Sequence, residues 1–230
     1  MKNPGEIGFI VVILFFLVLS TIMTVNTLDL ESEVRQLEKE KEELEEKLNE
    51  KKTTIERKRG LEEVREDIGN MKEKLEDYTD LFSLIEGEAR TTNPDLTKEE
   101  SRKITSSIIF HSAKRNLDPV LVTSLIKQES RFDPKNVGSD EDLGLMQIIP
   151  STGRWIADEM GITYSRAKLL TIDKNIDMGT YYLSVMVDKF GCEEKALVAY
   201  NKGPHVAQNV DATQDGYRSA VRYHYSNISE

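Results

Sequence analysis

A narrow apolar seam in a long, strongly charged stretch is the feature that most constrains this fold. Between residues 30 and 55 the seam positions alternate three and four residues apart, and a second run from residue 61 to residue 85 keeps the same alternation. This spacing is typical of the core positions of a coiled coil, so it predicts a long helix. Lys41 and Lys51 occupy two seam positions, which weakens association with another helix. We expect a coiled-coil stalk at residues 28–88, and a single solvated helix is the alternative.

The two runs of the seam do not share one register. Joining them through Lys58 gives three successive three-residue steps around Gly60. Such a stammer overwinds or interrupts a supercoil. Two shapes are compatible with it: one bent rod, or an antiparallel pair of helices that folds back at Gly60.

An uncharged apolar segment precedes the seam. Residues 7–25 are nineteen residues without a charge, and as a helix they would reach about 28 Å, enough for one bilayer crossing. A cleaved signal peptide is the alternative, but its apolar run is usually only about 7 to 15 residues long and an Ala-x-Ala-like site follows it. The first alanine of this chain is Ala89. We therefore predict that residues 1–27 are a retained transmembrane anchor.

The charges around this segment predict its orientation. Lys2 precedes the apolar run, whereas Asp29 and Glu31 follow it. Basic residues favour the cytoplasmic side of a membrane, so we expect a single-pass protein with its N-terminus in the cytoplasm. The remainder of the chain would then lie on the cell-wall side, or belong to a virion if the source is a phage.

A change of composition marks the start of a C-terminal domain. Residues 89–95 contain two threonines, Asn93 and Pro94, which is typical of a linker, and we place that linker at residues 89–97. Amphipathic helical patterns follow one another from residue 98, and no segment alternates convincingly as a strand. The sequence predicts a mainly α protein whose domain at residues 98–230 is nearly all helical.

One helix of this domain carries a carboxyl group on its apolar stripe. Asp118 and Pro119 are typical of a helix start, and the stripe that follows consists of Leu121, Val122, Leu125 and Ile126. Glu129 continues the stripe on the last turn before Pro134. Burial and the helix C-terminus both disfavour its ionised form. A carboxyl group kept protonated near neutral pH is what glycosidic cleavage needs as a general acid. A solvated helix-end glutamate is the alternative.

Three motifs in order extend this interpretation. They are Glu129-Ser130, then Gly144-Leu145-Met146-Gln147, then Ala199-Tyr200-Asn201 with Gly203. In these motifs the chain resembles the lytic transglycosylase family with the lysozyme-like domain of the soluble lytic transglycosylases. The resemblance covers roughly residues 98 to 225. It implies a lysozyme-like helical fold and cleavage of peptidoglycan between N-acetylmuramic acid and N-acetylglucosamine.

The resemblance also implies residue roles. Glu129 would protonate the leaving oxygen and then deprotonate the muramoyl 6-hydroxyl, which closes on C1 as a 1,6-anhydro sugar, so a second catalytic carboxylate is not demanded. The expected substrate-binding residues are Ser130, Met146, Gln147, Tyr200 and Asn201. Ser130 would orient the glutamate or the substrate, Met146 and Gln147 would line the sugar groove, and Tyr200 would approach the catalytic carboxyl. Trp155 is interpreted as core packing, with stacking on a sugar as the alternative.

An acidic loop departs from the family pattern. Asp140, Glu141 and Asp142 precede the Gly144 motif, whereas many transglycosylases have a little-charged loop there. Goose-type lysozymes are similar in fold and motif but hydrolyse the same bond, so a goose-type hydrolase is an alternative. A non-catalytic, peptidoglycan-binding scaffold that works through its coiled coil is a second alternative.

Composition excludes other classes of function. The net charge is −10 with no basic surface pattern, so we expect no nucleic-acid partner. Cys192 is the single cysteine and the three histidines are scattered, so we expect no metal site and no cofactor. The expected partners are peptidoglycan glycan strands, the lipid bilayer and, through the seam, a second copy of the chain. Whether the source is a bacterium or a phage stays open.

Overall fold

The structure is a computed structural model that describes residues 4–229, with side chains for Leu17 and for residues 32–229. Nine α-helices occur within this range, together with a short 3-10 turn at Ala212–Gln214. The helices are α1 (Pro4–Thr92), α2 (Lys98–Lys114), α3 (Pro119–Ser130), α4 (Pro150–Glu159), α5 (Arg166–Leu169), α6 (Ile172–Phe190), α7 (Glu193–Lys202), α8 (Pro204–Ala207) and α9 (Gly216–Ser229). The only β-type pairings between described residues are isolated bridges of Leu143 with Val137 and with Ile148. The mainly α prediction is confirmed.

The chain forms two compact units, the first ending at Lys72 and the second beginning at Glu73. Helix α1 passes through Gly60 without a break, so the predicted alternative of a fold back at that residue is wrong. In the first run of the seam, every apolar side chain that the structure describes has more than half of its surface accessible; these are Val34, Leu37, Leu44, Leu48 and Ile55. This exposure leaves the seam available to a partner, and the coiled coil stays a prediction.

The predicted transmembrane anchor lies in the part of α1 whose side chains, apart from Leu17, are outside the described residues. Within the described part of the chain, no helix combines the length and the apolar character that crossing a bilayer requires.

The end of α1 belongs to the second unit. Ile85 and Ala89 are fully buried in its core, and the helix continues to Thr92. The predicted linker at residues 89–97 is therefore wrong over its first four residues. Ala89 follows Ile85 by one helical turn, so it extends the same apolar face into the core instead of ending the helix.

Helix α3 forms as the sequence predicts. The Asp118 side chain caps it by accepting a hydrogen bond from the Val120 backbone nitrogen at 2.8 Å. The stripe of Leu121, Val122, Leu125 and Ile126 is fully buried. Helix α9 packs along α3, and α6 packs against α2 and α7. Glu129, one turn beyond the stripe, is only half-buried.

The Gly144 motif is held between α3 and α4 by a buried amide of α6. Asn175 accepts a hydrogen bond from the Met146 backbone nitrogen at 2.7 Å, and it donates to the carbonyls of Leu143 at 2.8 Å and Leu169 at 2.7 Å. Gly144 has a φ of 72°, and a Cβ there would come within 2.7 Å of the Leu169 carbonyl oxygen. Only glycine fits this approach, which fixes the segment beside the end of α3.

Candidate active site

The end of α3 places Glu129 at the wall of a groove. The helix stops because Arg131 and Phe132 both adopt left-handed backbone conformations, with φ of 53° and 61°. Phe132 is nevertheless fully buried, so its side chain anchors the turn in the core. Glu129 thus lies on the last turn of α3, two residues before this left-handed turn.

The groove beside Glu129 has a volume of about 330 Å³. Its polar lining residues include Asp140, Asp142, Gln147, Asn201 and Lys202, and the ammonium group of Lys202 is paired with Asp215 at 2.5 Å. Tyr182 and Tyr200 add aromatic surface. Such a mixture of hydrogen-bonding groups and aromatic rings suits a ligand with many hydroxyl and amide groups, such as a sugar chain.

Burial dominates the electrostatics of Glu129. It raises the pKa of this carboxyl to about 7; a hydrogen bond from Tyr217 offsets part of the rise, and the negative charge of Asp142 adds to it. The Tyr217 phenol donates to Oε1 of Glu129. At neutral pH Glu129 is therefore divided between its protonated and ionised forms, as a group that both gives and takes a proton must be.

Tyr217 is a residue of the candidate site that the sequence analysis missed. It lies in the first turn of α9, and burial, followed by the charge of Glu129, raises its pKa well above the usual range. It therefore stays a neutral hydrogen-bond donor. A tyrosine in an amphipathic helix looks like a core residue, and no local spacing distinguishes one that reaches a carboxyl group 88 positions away.

Tyr200 lies in the groove but donates its hydroxyl to a backbone group. Its partner is the Met146 carbonyl oxygen at 2.8 Å, and its ring lies 5.3 Å from that of Tyr182. Burial and then the charge of Glu129 raise its pKa well above the usual range. Tyr200 is close enough to the carboxyl group of Glu129 to be affected by its charge, and its hydrogen bond connects α7 to the Gly144 motif.

The other predicted binding residues fall into two groups. Gln147 and Asn201 line the groove, and the Gln147 side chain is oriented by donating to the Gly144 carbonyl at 2.7 Å. Met146 and Ser130 are buried away from it. The Met146 side chain packs against Gly179, and the Ser130 hydroxyl donates to the Ile126 carbonyl of its own helix at 3.2 Å. These two residues shape the site without facing it.

Trp155 packs against another aromatic residue and is partly exposed, so the alternative of stacking on a sugar stays a prediction. Its ring packs edge-on at 6.0 Å from Tyr182, while 39% of its surface stays exposed. It lies three residues after Thr152, which lines the groove, and hence on the same face of α4.

The three acidic side chains of the loop lie in two different environments. Asp140 and Asp142 line the groove, whereas Glu141 forms an ion pair with Arg166 at 2.9 Å. Oδ1 of Asp142 accepts a hydrogen bond from the Asp140 backbone nitrogen at 3.1 Å, and its carboxylate lies against Gly138. Among the residues whose positions are described, no three His, Cys, Asp or Glu side chains are grouped so as to hold a metal ion.

Comparison with known protein families shows to which family this chain belongs. The model of the transglycosylase SLT domain matches residues 106–220, which is half of the 230-residue chain. The chain belongs to the transglycosylase SLT domain family. The match contains the helix that carries Glu129, the Gly144 motif, the Tyr200 motif and Tyr217.

Relatives of this family member come from bacteria and from a phage. The membrane-bound lytic murein transglycosylase C of Actinobacillus pleuropneumoniae serotype 5b is 38% identical over 87 residues, which is 36% of this chain and 24% of that protein. The transglycosylase of Enterobacteria phage PRD1 is 33% identical over 96 residues, covering 42% of this chain and 33% of its own length. This chain thus spans a third or less of these relatives.

A solved structure shares the fold. The 70 kDa soluble lytic transglycosylase of Escherichia coli superposes with a TM-score of 0.50 at 23% identity, over 54% of this chain and 23% of that one. The likeness confirms a lysozyme-like helical domain of the SLT type.

Proposed function

We propose that this SLT family member is a lytic transglycosylase, which cleaves the β-1,4 bond between N-acetylmuramic acid and N-acetylglucosamine in peptidoglycan and leaves a 1,6-anhydromuramoyl end. One observation carries the proposal: Glu129 is a half-buried carboxyl group with a pKa raised to about 7 at the wall of a polar groove. The family relationship and the names of the relatives support the choice of substrate.

Glu129 would act in two steps. As an acid it gives its proton to the glycosidic oxygen while the bond from that oxygen to C1 breaks. The resulting carboxylate then takes the proton of the muramoyl 6-hydroxyl, whose oxygen bonds to C1. No water is consumed and Glu129 ends protonated, ready for another cycle. The 6-hydroxyl is part of the same sugar, so it attacks at a high effective concentration.

Tyr217 would orient this proton transfer. Its hydroxyl donates to Oε1, which leaves Oε2 as the oxygen that carries the acidic proton. After the first step the same hydrogen bond stabilises the carboxylate. Gln147 and Asn201 offer donors and acceptors for the acetamido and hydroxyl groups of the sugars.

A goose-type hydrolase is the second candidate, since Asp140 and Asp142 line the same groove as Glu129. An inverting hydrolase holds its water with a second carboxylate about 6.5 to 9.5 Å from the acid. The bonding of Asp142 within its own loop argues for a structural role instead. The two candidates differ in product, because hydrolysis leaves a reducing muramic acid end.

Mass spectrometry of muropeptides released from purified peptidoglycan tests the proposal. We expect 1,6-anhydromuramoyl products from the wild type and none from Glu129→Gln, with Glu159→Gln on the exposed end of α4 as the matched control. Reducing ends would identify the hydrolase. A phenotype that persists in Glu129→Gln would instead identify the non-catalytic scaffold.

We also propose that residues 1–27 anchor the protein in a membrane and that residues 28–88 act as a helical spacer whose exposed seam pairs with a second copy. Full-length protein should fractionate with membranes and resist extraction by high salt, because hydrocarbon burial is not screened by ions. A soluble form that starts near residue 27 would show that the segment is a cleaved signal peptide.

A further inference from the structure

The end of α1 and the residue that follows it hold the segment around the end of α3 through two side-chain contacts. Glu88 forms an ion pair with Lys127, and both side chains are largely buried, at 18% and 24% exposure. Asn93 donates its side-chain amide to the Phe132 carbonyl oxygen at 3.1 Å. The first contact is two residues before Glu129 and the second is three residues after it. The catalytic turn is therefore bracketed by residues that lie before the matched family domain, which begins at residue 106.

Helix α9 holds the same turn from another side. His224 lies 3.2 Å from the Gln128 side-chain oxygen, and Tyr217 donates to Glu129 itself. Each of the three consecutive α3 residues from Lys127 to Glu129 thus contacts a side chain of another helix.

The end of α1, from which these contacts are made, is packed into the core. Ile85 and Ala89, on either side of Glu88, are fully buried in the core. The Glu88 carboxylate also accepts a hydrogen bond from the Thr92 hydroxyl at 3.0 Å, and the Asn93 side-chain oxygen accepts one from the Asp95 backbone nitrogen at 3.2 Å. Both groups are therefore oriented before they reach α3.

We infer that Glu88 and Asn93 are positioning residues for Glu129, so that the catalytic unit begins inside the long helix and not at the boundary of the family domain. The inference rests on the proposed function of Glu129. Its physical basis is the strained turn: Arg131 and Phe132 are both left-handed, a conformation that costs free energy unless the surroundings enforce it. The hydrogen bond from Asn93 to the Phe132 carbonyl and the ion pair at Lys127 fix that turn on both sides of Glu129.

Loosening the turn would admit water to Glu129. Three titratable groups interact directly with Glu129: Tyr217 of α9, Tyr200 of α7 and Asp142 of the loop. The other titratable residues that line its groove are Asp140 of the loop, Tyr182 of α6 and Lys202 of α7. None of these groups belongs to α1, so a change at Glu88 or Asn93 acts on Glu129 through the backbone of α3. Because burial is what raises the pKa of Glu129, partial hydration would lower that pKa and deplete the acid form at neutral pH.

Steady-state kinetics of the full-length chain as a function of pH test the inference. We expect Asn93→Ala and Glu88→Gln each to lower kcat about three- to tenfold, the effect of losing one partly buried hydrogen bond or ion pair, with KM changed less than about twofold. The alkaline limb of the profile, where the acid form of Glu129 disappears, should move to lower pH in both. Arg90→Gln removes one exposed charge from the same helix turn and should change neither kcat nor the limb.

A double-mutant cycle separates positioning from general loss of stability. If Glu88 acts through Lys127, the double variant Glu88→Gln/Lys127→Gln should be no slower than the slower single variant. Additive losses, or variants that unfold at lower temperature while kcat and the alkaline limb stay unchanged, would overturn the inference. If Asn93→Ala does not fold, the Glu88 cycle alone decides. Absence of product from the wild type would defeat the proposed function instead.

Discussion

Glu129 and Asp177 are two carboxyl groups that the fold withdraws from water, and their pKa values move in opposite directions. Burial raises the pKa of Glu129 to about 7. Burial also disfavours the ionised form of Asp177 on α6, but hydrogen bonds from His111 and Arg115 outweigh it and hold the pKa of Asp177 well below its usual range. Arg115 lies 2.5 Å from Asp177 and carries a permanent positive charge.

The neighbours of Glu129 are of another kind. They are the Tyr217 phenol and the carboxylate of Asp142, and neither stabilises a negative charge as a guanidinium does. Glu129, which has no cationic hydrogen-bond partner, therefore keeps its proton to a higher pH, whereas Asp177 stays ionised and links α2 to α6 through His111 and Arg115. The comparison predicts that removing Glu129 affects the rate, whereas removing Asp177 affects the stability.

The largest expected effect is on the rate of Glu129→Gln. The amide has nearly the same shape but cannot donate the proton, so we expect kcat to fall by about 100- to 10,000-fold. Far-ultraviolet circular dichroism should match that of the wild type. Turnover within tenfold of the wild type would move general acid catalysis to another group.

Asp177→Asn should affect stability instead. It leaves buried Arg115 without its counter-charge, which costs about 3 to 5 kcal/mol in the free energy of unfolding. Since the folded pKa of Asp177 is depressed, its contribution is complete well above the unfolded pKa of 3.8 and declines gradually as the pH falls from there towards the much lower folded pKa. Urea unfolding should therefore show the full difference from the wild type at pH 7 and a moderately smaller difference at pH 3.

The matched control for that experiment is Asp173→Asn. Asp173 also contacts His111, but 47% of its side chain is exposed, so its loss should cost less than about 1 kcal/mol. Equal losses in both variants at pH 7 would show that burial does not separate them.

Glu129 should reduce stability at alkaline pH, in contrast to Asp177. Its pKa rises from 4.5 in the unfolded chain to about 7 in the fold, so its stabilising effect is complete below pH 4.5 and disappears as the pH rises through 7. The full difference is at most about 3 kcal/mol. Glu129→Gln should therefore gain unfolding free energy relative to the wild type between pH 5 and pH 8. A constant difference between the two proteins would show that the carboxyl is not withdrawn from water.

The sequence predicted the environment of Glu129 but not that of Asp177. The apolar stripe that ends in Glu129 is a local pattern, so both its burial and the direction of its pKa shift were predicted. Asp177 lies 62 positions from Arg115 and still farther along the chain from His111, and Tyr217 lies 88 positions from Glu129. Such partners depend on which helices pack together, and helical periodicity does not encode that. The end of α1 was misjudged for the same reason, because Thr91, Thr92 and Asn93 resemble a linker, whereas the burial of Ala89 and the hydrogen bond from Asn93 to the Phe132 carbonyl depend on tertiary packing.

Tyr217→Phe should shift the pH profile by a smaller amount. The phenol hydrogen bond lowers the pKa of Glu129, so its loss should raise that pKa and move the alkaline limb of kcat/KM to higher pH. The loss of orientation should reduce kcat by about tenfold, close to the value of one hydrogen bond to a charged group. Tyr223→Phe on the exposed face of α9 is the control. A shift of the limb to lower pH would contradict the assigned hydrogen bond.

The smallest effect is expected from substitutions in the acidic loop, which test whether a second carboxylate besides Glu129 determines the product. The charge of Asp142 raises the pKa of Glu129, but it is the smallest of the three causes that determine this pKa. An asparagine at position 142 could still accept the hydrogen bond from the backbone nitrogen of residue 140. Replacing Asp140 and Asp142 together by Asn should therefore change activity by less than about tenfold, or about 1.4 kcal/mol, and leave 1,6-anhydromuramoyl ends as the product. An inverting hydrolase would respond differently, since its second carboxylate holds the attacking water. Reducing muramic acid ends from the wild type, together with a collapse of activity in the double variant, would assign that role to the loop and make Glu129 one member of a catalytic pair.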